Sequence, residues 1–532
     1  MALSASIVWE FRTTATASMV NGGGYKSGGT DYSQQDAAQW TATDLACTAA
    51  STTITSATGG FTSAAVGNVI HITAGTNFTA GWYEITTYTN GTTLVLDRTP
   101  APSLDGSSGT YYIGGALSLN STLDDDFFDA VVAGNKIWVK SGSYTLGESV
   151  AMLTAGTAAS MSVIEGYNAT RGDAPTGTNR PTFACGSANS FATANYWQIH
   201  NLIFTGSATN VLAVNTNNWL INVKSTNSSA TSGRYAIATA TNGNTLLFKC
   251  EVISYKGTAL RIIDPAMTVV GCYFHDSDIG IIQNHSQGSI FINNIFANNV
   301  TFAFRTTSAP TSPTVFMNNT FYGSENTTGT GLSFITGSIQ IRVVNNIIYG
   351  FATGVAHADS QTNGFDDYND YNNNDTDVSN WTKGANDSAL APQFTNVAQV
   401  TGTAGAFRAG NDALIDTSKD FTTLGVVANQ DHIYIVSGTG ATAGIYGITS
   451  ISTTTNPNDT LVLTPAPGTN TTADKTYQIT TGHNFTIGTN LKALGFPGAF
   501  QGLSTTGYLD IGAVQRGEIS NTMVSRIKII GL

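Results

Sequence analysis

Between Leu247 and Gly350 the sequence writes one short pattern five times: an apolar pair, a small or polar pair, an apolar pair. The copies read LFKCEV, VVGCYF, IFINNIF, VFMNNTF and RVVNNII. Taking the second residue of each polar pair as a marker gives Cys250, Cys272, Asn294, Asn319 and Asn346, spaced 22, 22, 25 and 27 residues apart. A near-constant period of this size signals stacked repeats. Each copy is rich in Val, Ile and Phe and too short for an ordinary helix, so it predicts a strand. A strand recurring at that interval is one face of a coil, and the coils of a parallel β-solenoid stack about 4.8 Å apart. Markers at equivalent places then stack on like neighbours, which predicts a structural ladder of Asn294, Asn319 and Asn346 with Cys250 and Cys272 as small core residues at the same place. Set between apolar pairs, these residues turn inward, where stacked amides satisfy one another's donors and acceptors. Two buried thiols and a Cys250–Cys272 disulfide both fit that arrangement.

A chain of 532 residues exceeds the usual single-domain range, but a solenoid grows in one dimension and escapes that limit. Charged residues are 11% of the chain and glycines number 56, a composition suited to strands and turns. The net charge of -12 argues against a phosphate backbone as partner, so no nucleic acid is expected. The four cysteines have neither zinc-site spacing nor the number for a disulfide framework. The opening MALSASIVWEFRTT lacks a basic region and a long apolar stretch, and no run approaches ~18 apolar residues. No membrane insertion is expected, and the chain fits a protein made in the cytoplasm without a signal peptide and released by lysis.

Residues 1–44 predict an entry segment or attachment arm, with a strand at Ile7 to Arg12 and a glycine-rich stretch suited to an open loop or a close backbone approach. Residues 45–115 change to tight alternation, VIHITAGTNFTAGWYEIT then TLVLDRTPAP then GTYYIGG. Much later come HIYIVSGTGATAGIYGIT, TLVLTPAP and KTYQITTG. Aligning Ile70 with Ile433 keeps Gly75 with Gly438, Gly81 with Gly444, Tyr83 with Tyr446 and Ile85 with Ile448, which marks an internal duplication. Each copy, 45–115 and 397–482, predicts a small antiparallel barrel or sandwich of about five strands. These modules either dock to something or decorate the solenoid. Residues 116–396 predict the solenoid itself, capped by a short helix at Asp124 to Val132 that covers its open strand edges. At about 23 residues per coil this segment holds about twelve coils. The series is expected to end with Asp370, 24 residues after Asn346. Residues 483–515 predict a closing coil and cap, and 516–532 a tail suited to strand addition.

The SGSYTL opening, the NN rungs, the APQF stretch and the final LDIGAVQ resemble right-handed parallel β-helix proteins of the pectate-lyase-like superfamily, over about 116–396 and 484–515. The resemblance implies an all-β fold: a right-handed parallel β-helix with the two related barrel or sandwich modules inserted. The N-terminal layout and repeated small modules also resemble structural proteins of tailed bacteriophages, of the capsid-decorating, fibre or tailspike type. This second resemblance implies a non-enzymatic virion structural protein on the capsid or tail surface, binding neighbouring virion proteins, homo-oligomeric with a trimer favoured, and in contact with host surface polysaccharide. A tailspike-like hydrolase or lyase, and a carbohydrate-binding adhesin without turnover, are the alternatives it leaves open.

Glycoside hydrolysis needs two acids about 5 to 9.5 Å apart in a solvent-facing groove. The catalytic candidates are His275, Asp276 and Asp278 in YFHDSDIG, with Glu251, Arg261 and Asp264 one coil earlier. The same Asp and Ser letters are favoured at turns. Asp366, Asp367, Asp370, Asp375 and Asp377 form the densest acidic stretch, but it has no calcium-loop spacing and reads equally as an Asn/Asp turn. No metal or cofactor is assigned. Trp82, Tyr83 and Trp197 are candidates for stacking on sugars, against the competing reading of aromatic core residues.

Overall fold

The computed structural model describes residues 3–15, 22–118, 124–240, 243–263, 266–338, 340–360, 364–408, 412–488, 490–491 and 511–514. The chain forms two units, residues 1–227 with 235–250, and residues 228–234 with 251–532. Both are built from parallel β-coil, and each carries one closed six-stranded barrel.

In the first unit the coil's first face is made of strands Lys136–Lys140, Ser162–Tyr167, Trp197–His200, Trp219–Ile221 and Leu246–Phe248. The N-terminal strand Val8–Phe11 pairs in parallel with Lys136–Val139 and so adds a rung ahead of them. The start of the chain is therefore part of the solenoid, and the first barrel, Trp40–Ile113, is an insertion between two adjacent rungs. Trp9 and Phe11 point inward, and the helix Asp124–Ala130 closes over them with Phe127, whose ring centroid lies 5.1 Å from each. The glycine-rich entry segment makes a close approach: a Cβ at Gly22 would lie 2.5 Å from the Val69 carbonyl oxygen. Any side chain there would push the segment off the barrel.

In the second unit the corresponding strands are Thr268–Val270, Ile290–Ile292, Thr314–Met317, Ile341–Val344 and Phe365–Asp367. Among the described residues, five rungs in each unit give ten coils after the N-terminal strand, where about twelve are expected. The early coils are the longer ones: pairings of Lys136 with Val163 and Val163 with Gln198 correspond to coils of 27 and 35 residues. In the second unit, Thr268 with Ile290 gives 22 and Arg342 with Phe365 gives 23.

The NN pairs have a division of labour. The first residue of each pair takes the left-handed conformation, φ 55° at Asn293, 54° at Asn318 and 63° at Asn345, and turns the chain from one sheet to the next. Asparagine tolerates that region better than other residues with a side chain. The second residue then faces inward. Asn294 Nδ2 donates to Asn319 Oδ1 at 3.0 Å, Asn319 Nδ2 to Asn346 Oδ1 at 2.9 Å, and Asn346 Nδ2 to Asn369 Oδ1 at 3.0 Å. The series thus ends on Asn369, not on Asp370: Tyr368 holds the left-handed corner at φ 59°, which places residue 369 inside. At the other end the Cys272 backbone N–H donates to Asn294 Oδ1, so a small thiol suffices there. Cys47, Cys185, Cys250 and Cys272 are buried thiols. Beside the ladder, Phe274, Phe296 and Phe321 stack with centroid separations of 5.2 and 4.6 Å.

The two barrels have six strands each, Trp40–Ile113 and Asn396–Asn484 in extent, one strand more than the sequence suggested. They use the same hairpin to dock within their own units. In the first, Trp82 lies 6.4 Å from Trp9 and 6.2 Å from Phe127. In the second, Ile445, the equivalent of Trp82, packs on Ile253, Tyr255 and Val300. After Asn484 the described residues add no strand to the coil: Ile487, Leu491 and Ile511 pack on Ile347, and Phe485 on Tyr322 and Ala297. The tail 516–532 lies outside the described residues.

Candidate functional site

The second barrel lies on the second unit's coil over a polar cluster. Strand Tyr273–His275 ends at Asp276, whose φ of 48° is left-handed. In an extended strand neighbouring side chains point to opposite faces. This corner instead brings His275 and Asp276 together, with His275 Nδ1 2.6 Å from Asp276 Oδ2. From the barrel, His432 brings Nδ1 to 2.9 Å from the same Oδ2, and Asn298 donates to Asp276 Oδ1 at 3.0 Å. The other side of His275 is held too: Nε2 lies 3.4 Å from Glu251 Oε1, and Tyr273 stacks on the ring at 3.8 Å. Tyr273 Oη meets His483 Nδ1 at 2.8 Å, and His483 Nε2 meets Asp431 Oδ1 at 2.9 Å, both from the barrel side. A cavity of ≈ 30 Å³ adjoins the cluster, lined by Asp276, Asn298, His432, Gln399 and Thr480 among others.

Burial works against charge at Asp276, but His432 and His275 outweigh it and hold the carboxyl well below its usual range. Burial likewise works against protonating His275, and Asp276 and Glu251 outweigh it, so its pKa is raised. Burial and the carboxylates of Asp276, Glu251 and Asp431 push the Tyr273 phenol well above its ordinary value. The site is thus an anionic carboxylate gripped by two imidazoles. Two nitrogens and one oxygen converging in this way are also the donor set of a small cation site.

The sequence candidates separate accordingly. His275, Asp276 and Glu251 come together, but His275 and Asp276 are only 2% and 3% exposed, so they face the barrel rather than an open groove. Asp278 lies apart on Thr301, its carboxyl pKa raised by burial. Asp264 lies outside the described residues. Arg261 lies on the strand Thr258–Ile262. Trp82 packs between Trp9 and Phe127, Tyr83 is in the barrel core, and Trp197 is buried with its ring N–H on the Thr154 carbonyl. His432, His483 and Asp431 carry no local motif. The one signal available was the duplication itself, since His432 and Asp431 stand where the first copy has Val69 and Asn68.

The acidic stretch is internal only in part: Asp366 and Asp370 are buried, Asp367 and Asp377 half-buried, and Asp375 exposed. Asp366 occupies the inward position continued by Val343 and Phe316, and accepts from Tyr371 Oη and Trp381 Nε1, both at 2.6 Å. Asp370 accepts from Ser388 Oγ at 2.6 Å, and Asp377 pairs with Lys383 at 3.0 Å. Burial and the neighbouring Asp387 push Asp366 up to about 8. A carboxyl raised in this way stabilises the fold fully below its unfolded pKa of about 4, and that contribution is lost as pH rises through about 8. Urea unfolding is therefore expected to become easier across that window, by up to about 1.4 kcal/mol per pH unit. Asp366→Asn should flatten the profile, and an unchanged slope in that variant would refute the assignment.

Residues 193–375 match the family described as right handed beta helix region. Among curated proteins no sequence match is found. Similar solved structures include pectate lyase Pel9A, at 10% identity and a TM-score of 0.37 over 76% of this chain and 92% of that one. Another is the PL6 family polysaccharide lyase Pedsa3628 from Pseudopedobacter saltans, at 14% identity and a TM-score of 0.32 over 44% of this chain, which spans 64% of that lyase. A third is the tailspike protein gp49 from Pseudomonas phage LKA1, at 12% identity and a TM-score of 0.21 over 84% of this chain and 81% of that one. The parallel rungs, the ladder at their corners and the match over 193–375 make this chain a right-handed parallel β-helix protein carrying two six-stranded antiparallel barrels.

Proposed function

We propose that the protein is a non-enzymatic structural component of a tailed-phage particle, on its capsid or tail surface, assembled as a homo-oligomer with a trimer favoured. The observation that supports a structural role is the fate of the most reactive-looking residues. His275 and Asp276 lie beneath the second barrel and hold it there. Each barrel docks on the coil of its own unit by the same hairpin, which suits modules carried on a common scaffold. A coil whose backbone groups pair with neighbouring coils resists local opening, which suits a particle exposed outside the cell. The placement on a virion rests on the layout of the sequence, with its duplicated small modules around a β-helix.

Incubating the purified chain with host capsule or lipopolysaccharide is expected to release neither new reducing ends nor unsaturated sugars. Their appearance would overturn the non-enzymatic reading in favour of a hydrolase or a lyase respectively. Quantitative mass spectrometry of purified particles is expected to find the chain in a fixed ratio to the capsid or tail proteins. Its absence from particles would overturn the virion placement.

A further inference from the structure

We propose that His275, Asp276 and His432 form a binding site for one divalent transition-metal ion of the zinc type, which pins the second barrel to its coil. The three side chains offer Nδ1, a carboxylate oxygen and Nδ1, and their ligand atoms all lie within 4.8 Å of one another. Tetrahedral coordination at zinc-type bond lengths of about 2.0–2.2 Å sets ligand atoms roughly 3.4 Å apart. The two nitrogen–oxygen separations of 2.6 and 2.9 Å need to widen by less than about 1 Å to admit the ion.

Three independent features favour an ion over a plain hydrogen-bonded trio. The side chain of His432 is 8% exposed, and its Nδ1, though 2.9 Å from Asp276, makes no aligned hydrogen bond. A buried imidazole nitrogen that faces a carboxylate without an aligned hydrogen bond is only partly satisfied, and a metal between the two satisfies both. Next, Glu251 lies 3.4 Å from His275 Nε2, the nitrogen that would not bind metal. A carboxylate on the far nitrogen fixes the tautomer and orientation of a ligating histidine. Finally, the ≈ 30 Å³ cavity opens on Asp276 and His432 and is lined by Asn298, Gln399 and Thr480. It has room for water as a fourth ligand, since one water needs about 10–15 Å³. The donor set selects the ion: two imidazoles and one carboxylate suit zinc, cobalt or nickel, whereas calcium wants six to eight oxygens.

On binding, each histidine presents the Nδ1 lone pair, and any proton held there leaves to solvent, so affinity should rise with pH. The ligands straddle the junction between coil and barrel and are separated by 156 residues, 432 minus 276. The ion would therefore act as a staple across that junction.

The test uses the full chain without a histidine tag, stripped with chelator and titrated with ZnCl2 by calorimetry and with CoCl2 by visible absorption. One equivalent of Zn2+ is expected, with the intense visible bands of a low-coordinate Co2+ complex and a rise in the melting temperature. His432→Gln should abolish the bands. Glu251→Gln, which changes a side chain 31% exposed and leaves all three ligands in place, should weaken binding by about 10- to 100-fold while circular dichroism stays unchanged. The second variant keeps the test decisive if the first fails to fold. Absence of stoichiometric Zn2+ binding by the folded chain, or binding that Glu251→Gln leaves unaltered, would overturn the site.

Discussion

Asn319→Leu is expected to destabilise the second unit by roughly 3–5 kcal/mol, although leucine is apolar and close in volume to the residue it replaces. The side chain of Asn319 accepts from the Asn294 backbone N–H at 2.9 Å and from Asn294 Nδ2 at 3.0 Å. It also donates to the Phe291 carbonyl at 3.0 Å and to Asn346 Oδ1 at 2.9 Å. Leucine removes all four bonds and leaves their partners buried. Each orphaned group costs about 1–3 kcal/mol, partly relieved where a second partner persists. Asn294 Nδ2 keeps the Val269 carbonyl, for example. The corner residue behaves differently: Asn293→Gly should change stability by less than about 1 kcal/mol because glycine accepts a φ of 55° freely. Asn293→Val should cost about 1–3 kcal/mol in backbone strain. Chemical denaturation of the three variants checks the contrast, and equal effects at residues 293 and 319 would refute this division of roles.

Glu10→Gln is expected to cost the first unit up to about 3–5 kcal/mol, because it removes the fully buried charge shared by Arg12 and Arg171 and leaves each half-buried guanidinium with one more exposed carboxylate, Asp36 and Asp31 respectively. Glu10 is fully buried on the N-terminal rung. Its Oε2 meets Arg171 Nε at 2.6 Å, its Oε1 accepts from Tyr167 Oη at 2.5 Å, and Arg12 closes the group. Arg171 continues to Asp31 at 3.1 Å and to Ser33 at 2.9 Å, which ties the entry segment to the same knot. Burial and the neighbouring Glu10 push the Tyr167 phenol above its ordinary range, so it stays a donor at any ordinary pH. The double variant Glu10→Gln with Arg171→Met should recover part of the loss, since the stranded cation is then gone. Additive losses in the pair would show that the charges act independently.

The solenoid was legible because its period is written in strand letters and its corners in asparagine, both local properties of the chain. The duplication was equally plain from paired glycines and tyrosines. Coil number was overestimated because the early coils of 27 and 35 residues carry loops that no short pattern reports. Asn369 and Asp370 are neighbours written in the same turn-favouring letters, and a shift of one residue in a strand reverses the face, so the sequence leaves open which of them is the final inward rung. The junction cluster shows the limit most clearly. His275 and Asp276 stood out locally, but what they do depends on His432, which a whole barrel separates from them in neither motif nor spacing. Trp82 and Trp197 looked like sugar platforms for a related reason: an aromatic residue on a strand reads the same whether the space above it is water or another element.

The left-handed corners have a consequence for how such a chain can change. In the second unit an inward amide meets the next at one point per turn, and in both units the parallel pairing of the strands holds the register whatever the length of the turn between them. The turns run from 22 to 35 residues without disturbing the pairing of the strands they join. A segment that leaves from one paired strand and returns to the next can be spliced in, as the first barrel is between Phe11 and Lys136. The scaffold is in this sense a rack with standard fittings, and new binding modules can be acquired, lost or exchanged while the rack itself stays in register.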